Sequence, residues 1–162
     1  MSKAVHQYAT RVIWEGNLGG GTCGYGSYSR KYRMVIAGKP DLVGTADPAF
    51  RGEQDKHNPE ELFLMSISAC HMLFYLSLCA RKGIQVVAYE DNAAGTMRVE
   101  GNGGGRFEEI TLHPKVTLAR DQEGTVAADL HAEAHALCFI ANSCATPIRH
   151  VAKLVVQQGE ER

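Results

Sequence analysis

The chain has 162 residues, of which 44% are hydrophobic and 22% charged, with 17 Lys and Arg against 18 Asp and Glu. This length suits a single domain over 1–162, and the composition is too apolar for a disordered chain. A formal net charge of −1 without any basic run gives no electrostatic reason to seek nucleic acid or an anionic membrane. The N-terminal stretch is polar and mixed, with no apolar core of signal-peptide length, so a cytoplasmic location is expected.

Alternation over 7–15 predicts a first strand. A glycine-rich loop follows, from Gly16 to Tyr28, without the spacing of a phosphate-binding fingerprint. A second strand is expected over 30–37, ended by Gly38 and Pro40, with a loop over 44–57. Asn58, Pro59 and Glu61 then mark a helix start, as N-cap, first helical residue and capping-box partner. The helix should run to about Lys82 and stop at Gly83, more than about 35 Å in all. From Leu62 to Ala80 it carries no charged residue, which approaches the roughly 20 residues of a membrane span. Its serines, His71, Tyr75 and two cysteines argue instead for a helix buried on all sides in a soluble protein or an oligomer. Strands over 84–100 and 107–119, joined by a hairpin at 101–105, precede a second helix over 125–141 and a last strand over 151–156. Strands grouped apart from long helices indicate an α+β fold.

Five cysteines, at positions 23, 70, 79, 138 and 144, show no disulfide-framework spacing and read as reduced thiols. Three readings apply to Cys70 and Cys138. Each can be a small buried hydrophobe. His131, His135 and Cys138, at i, i+4 and i+7, can bind a metal in a non-catalytic module, with His71 as a conceivable fourth ligand. Or two cysteines on separate helices meet for redox chemistry, in which a thiolate attacks a peroxide and the sulfenic acid condenses with the second thiol. The third reading requires a cation near Cys70, because the helix N-terminal dipole fades within the first turn and burial alone raises a thiol pKa. Spacing alone does not choose among the three.

The stretch from His57 through Asn58, Pro59, Glu60, Glu61, Leu62 and Phe63, followed by Ser68-Ala69-Cys70-His71, resembles the signature of the OsmC/Ohr family of organic hydroperoxide reductases. Trp14-Glu15-Gly16 and the following glycines are similar to the family's N-terminal strand and loop, and Cys138 falls where the family has its second cysteine. The resemblance implies an intertwined α+β homodimer, with N- and C-terminal antiparallel sheets around a long buried central helix. It implies Cys70 as the peroxidatic cysteine and Cys138 as the resolving one, with Glu60 holding an arginine that activates Cys70. It also implies organic hydroperoxide as substrate, a dithiol reductant (a small molecule or a lipoyl- or thioredoxin-type protein), a role in oxidative stress, and no metal or other cofactor. Many members have Pro after the second cysteine; here the residue is Phe139, and Cys144 lies six residues on as a substitute resolving thiol. Arg51 is the leading match for the arginine, with Arg30 and Arg33 as alternatives.

Glu60 and Cys70 lie about 15 Å apart along a straight helix. Sharing an arginine therefore predicts a composite site across two antiparallel copies, or else a bend in the helix. An obligate dimer would also cover the uncharged stretch. Phe63, Met72, Phe74 and Phe139 are candidates to line an apolar entrance, and His71 and His135 are expected to be structural.

Overall fold

The computed structural model describes residues 4–120 and 124–157. They fall into two compact units, Met1–Leu62 and Phe63–Arg162. The first unit holds a three-stranded antiparallel sheet of β1 (Arg11–Trp14), β2 (Tyr32–Val35) and β3 (Leu42–Gly44), with β2 central. The first two strands are shorter than alternation predicts, because pairing extends only from Arg11 opposite Val35 to Trp14 opposite Tyr32. β3 is additional, and its start was hidden behind Pro40 in a stretch without alternation.

Trp14 fixes the mouth of the glycine-rich loop. Its indole Nε1–H donates to Ser29 O at 2.9 Å, and its ring meets Tyr28 edge-on at 5.8 Å. Gly16 is required beneath it, since a Cβ there would stand 1.8 Å from Ser29 O. A 3-10 turn at Pro48–Phe50 is capped by the Asp47 carboxylate. Arg51 closes the turn at φ 67°, a left-handed conformation that non-glycine residues seldom adopt.

α1 (Pro59–Arg81) begins and ends as its sequence dictates. Asn58 Oδ1 accepts from Glu61 N–H at 2.8 Å, and Glu61 Oε2 accepts from Asn58 N–H at 3.2 Å, completing the capping box. At the other end Gly83 (φ 75°) donates to Ala80 O and Ile84 donates to Cys79 O, a Schellman motif. No break interrupts the helix.

The second unit contains the rest of α1, α2 (Gly124–Leu137) and two three-stranded sheets. One sheet has the order β4-β7-β9 and the other β5-β6-β8, from β4 (Val86–Asp91), β5 (Ala94–Val99), β6 (Gly105–Leu112), β7 (Pro114–Leu118), β8 (Ile148–His150) and β9 (Lys153–Val156). Each sheet joins one antiparallel and one parallel pair, so these sheets are mixed rather than antiparallel throughout. The two long strands expected over 84–100 and 107–119 each split in the middle, and their halves enter different sheets. Pro114 starts β7 because it has no N–H to offer a ladder. The Asp91 carboxylate locks the corner by accepting His113 N–H at 2.6 Å and Ser68 Oγ–H at 2.5 Å. The last predicted strand, 151–156, begins two residues late, at Lys153, and β8 just before it is an additional strand.

Ile67, His71, Tyr75, Leu78 and Cys79 form the buried stripe of α1. Tyr75, Leu78 and Cys79 join Val116, Leu118, Ala127, Leu130 and Ala134 in one core, and Ile67 joins Ile110 and Leu112 in another. Within this chain the helix is therefore buried on one side. Its opposite face leaves Met65 47% and Leu73 63% exposed. By length and composition alone α1 could cross a membrane, but its inward stripe is committed to protein cores.

Candidate active site

Cys70 stands on α1, one residue before the buried His71, and is half-buried. With Leu73, Phe74 and Ser77 it forms one helical face, at i, i+3, i+4 and i+7. That face and Phe139 enclose an apolar pocket of about 290 Å³. The rings of Phe74 and Phe139 meet edge-on at 4.9 Å, while Phe139 remains 69% exposed at the rim. Of the aromatic and methionine residues expected at an apolar entrance, Phe74 and Phe139 line this pocket; Phe63 packs against Phe107 in the core with Ile67.

Cys138 lies beyond α2, not within it. The helix ends at Leu137, four residues earlier than expected. Asn142 causes the early stop: its side-chain Nδ2–H donates to Ala136 O at 2.9 Å, and its backbone N–H donates to Cys138 O at 3.0 Å. A 3-10 turn at Ala141–Ser143 follows. The Cys138 side chain is 1% exposed. Burial, chiefly, pushes its thiol up to about 11. The backbone N–H groups of Ala141 and Ile140 oppose that rise, and the adjacent Cys70 thiol adds to it by hydrogen bonding and by charge. The chain thus brings Cys70 and Cys138 side by side, with Cys70 lining the pocket and Cys138 buried. Cys144 caps the 3-10 turn, its thiol directed to Ala141 O at 3.5 Å.

Beside the cysteines is a cluster of histidines. His71 Nε2 and His131 Nδ1 are 3.0 Å apart, joining α1 to α2. The Tyr75 ring stacks on His131 at 3.9 Å, and His150 from β8 lies 5.7 and 5.8 Å from the two rings. Burial above all, then the neighbouring His150, lowers His71 to about 4 despite the opposing charge of Asp91. Burial, then His71 and His150, lowers His131 to about 3. Both rings are therefore neutral at pH 7. A neutral imidazole has one N–H and one acceptor nitrogen. Whichever ring donates between them, the outer nitrogens left over are one donor and one acceptor. Both outer atoms, His71 Nδ1 and His131 Nε2, are buried, and neither has a hydrogen-bond partner among the described residues. Each such atom costs about 1–3 kcal/mol.

The metal-binding set expected from His131, His135 and Cys138 does not assemble. His131 turns inward to His71, and Cys138 has left the helical face. Among the described residues no group of three or more His, Cys, Asp or Glu is arranged to hold a metal ion.

In the first unit Glu60 lies near enough to Tyr32 to raise the phenol's pKa, secondary to burial. Glu60 Oε2 is buried and has no hydrogen-bond partner among the described residues. Among the described residues no ion pair joins Glu60 to an arginine. Arg51 is exposed, with its guanidinium 6.0 Å from the Tyr25 ring centroid. Arg30 donates to Tyr28 O and Tyr25 O and covers both tyrosine rings. Arg33 is held by Glu15 and Asp41 at 2.7 and 2.9 Å.

The family model described as OsmC-like protein matches residues 52–152. Among solved structures, an OsmC-like protein of unknown function from Vibrio cholerae is 25% identical over 91% of this chain and 99% of its own, with a TM-score of 0.78. An organic hydroperoxide resistance protein from Elizabethkingia anophelis is 19% identical over 96% of this chain and 100% of its own, with a TM-score of 0.69. The organic hydroperoxide resistance protein of Bacillus subtilis is 18% identical over 91% of this chain and 98% of its own, with a TM-score of 0.61. The last two likenesses carry the fold alone. No curated protein sequence matches the chain.

Proposed function

The chain belongs to the OsmC-like protein family, and from that premise we propose that it is a thiol-dependent peroxidase for organic hydroperoxides. The observation that carries this reading is the pairing of Cys70, on an apolar pocket, with the buried Cys138 beside it. The Cys70 thiolate attacks the distal peroxide oxygen. The O–O bond breaks, the alcohol leaves with a proton, and Cys70 becomes a sulfenic acid. Cys138 then attacks the Cys70 sulfur. Its thiol is protonated at neutral pH, so that proton leaves with the displaced hydroxide as water, and a disulfide remains. A dithiol reductant restores both thiols and is itself oxidised to a disulfide.

The pocket favours a substrate with an apolar tail, because its walls are Leu73, Phe74 and Phe139. Activation of Cys70 falls to an arginine held by Glu60, with Arg51 the first candidate and Arg30 and Arg33 the others. The buried, unpartnered Oε2 of Glu60 supports this role, since a guanidinium would satisfy it. The functional form is a homodimer. Met65 and Leu73, bare on the uncharged stretch of α1, support a second copy as their cover.

The test is steady-state reduction of cumene hydroperoxide with a dithiol as electron donor. Wild type turns over, Cys70→Ser is inactive, and Cys138→Ser completes one turnover and stalls as the sulfenic acid. Full activity in Cys70→Ser would overturn the proposal.

A further inference from the structure

We infer that the hydrogen bond between His71 and His131 is a positioning device that sets α1 against α2, so that Cys138 meets the sulfenic acid of Cys70. The inference rests on the peroxidase reading and adds a role for two residues outside its chemistry.

The two histidines hold the elements that carry the two sulfurs. His71 directly follows Cys70, and His131 lies on α2, the helix that delivers Cys138 just past its end. Their contact is a single cross-helix hydrogen bond of 3.0 Å between rings that are 1% and 0% exposed. Packing of apolar side chains leaves the relative slide of two helices loosely determined. A directional bond between named nitrogens allows one setting, because a shift of one residue abolishes it. Tyr75, one turn after His71, stacks on His131 at 3.9 Å and stops that ring from turning away.

Stability does not account for the pair. Its outer nitrogens are buried and find no partner among the described residues, whereas two apolar side chains of similar volume would leave no polar atom unsatisfied. What the histidines supply and apolar residues do not is a fixed register. That register matters most at resolution, where the Cys138 sulfur must approach the Cys70 sulfur in line with the departing hydroxide. Misplacement of reacting atoms by 1 Å costs on the order of a hundredfold in rate.

The test uses pairs of variants. His131→Phe keeps a ring against Tyr75 and removes Nδ1, and His71→Leu removes Nε2. His131→Asn and His71→Gln keep a hydrogen-bonding atom at those respective positions. One equivalent of cumene hydroperoxide is added, and dimedone trapping of Cys70 sulfenic acid is followed against formation of the Cys70–Cys138 disulfide. In His131→Phe and His71→Leu, loss of hydroperoxide in the first turnover should match wild type, while disulfide formation slows on the order of a hundredfold and trapped sulfenic acid accumulates. His131→Asn and His71→Gln should restore most of the disulfide rate, which a role in filling space would not require. Wild-type disulfide rates in the apolar variants, or asparagine and glutamine variants as slow as them, would overturn the inference. Diamide, which oxidises paired thiols without peroxidase chemistry, forms the same disulfide and should show the same ranking of variants. A wild-type protein inert to hydroperoxide would therefore refute the peroxidase reading while the diamide series still judged the histidine pair.

Discussion

Acid should unfold this protein through its buried imidazoles. His71 and His131 titrate at about 4 and about 3 in the folded chain, against 6.5 for a free histidine, chiefly because burial disfavours their charged forms. Between those limits the unfolded chain binds protons that the folded chain refuses. Stability from these groups is thus complete above pH 6.5 and is lost as pH falls toward 4. The 1.5 pH units from 6.5 down to pH 5, at about 1.4 kcal/mol each, amount to about 2 kcal/mol per imidazole and about 4 kcal/mol for the pair. For a chain of this length that is roughly 8–16 °C in Tm. The assay is thermal unfolding from pH 7.5 to 5, followed by circular dichroism, for wild type and the double variant His71→Gln/His131→Asn. Other titrating groups act on both proteins alike, so their difference isolates the pair. The double variant should lose about 4 kcal/mol less than wild type over that range. Parallel Tm curves would show that these rings are not held neutral by burial and would refute the reasoning.

Several other properties of the site are open to direct measurement. Cys138 should react with iodoacetamide far more slowly than Cys70 at pH 7, since it is 1% exposed and its thiol is pushed up to about 11; peptide mass spectrometry reads the order of labelling. Phe139→Ala removes the exposed wall of the pocket and should raise KM for cumene hydroperoxide on the order of tenfold while leaving that for hydrogen peroxide nearly unchanged. Leu73→Glu should convert a dimer to a monomer in sedimentation analysis, because an unpaired charge on that face cannot be buried against a second copy. Asn58→Ala deletes half of the capping box and should cost about 1 kcal/mol of stability in urea unfolding.

Local rules located α1 to within a residue at each end, because Asn58, Glu61 and Gly83 act through bonds only a few positions away. The same rules failed where a distant partner decided the outcome. The split of the two long strands depends on Asp91 accepting from Ser68 and His113, contacts spanning 23 and 22 residues. Pro114 was the local clue to that split, since proline seldom occupies a strand interior. The early end of α2 has the same character: periodicity carries the helix to position 141, whereas the Asn142 side chain folds back to Ala136 and releases Cys138 from the helical face. At the site, the sequence supplied the two cysteines, and the fold joins them. It could not supply the histidine pair, whose members are 60 residues apart and share no motif. Spacing linked His71 to His131 only as a conceivable fourth metal ligand, and nothing in the sequence marked the hydrogen bond between them or His150 as their neighbour. The one-sided burial of α1 within the chain was equally hidden, because its uncharged stretch from Leu62 to Ala80 shows no charged face from which to orient it.

The account depends on the two adjacent sulfurs at positions 70 and 138 acting as one redox unit. Treatment of the fully reduced protein with one equivalent of cumene hydroperoxide, followed by acid quenching and peptide mapping, tests this most directly. The account predicts a single new linkage, Cys70 to Cys138, with Cys23, Cys79 and Cys144 still free. Recovery of five free thiols, or of a bond that leaves out Cys70, would contradict it.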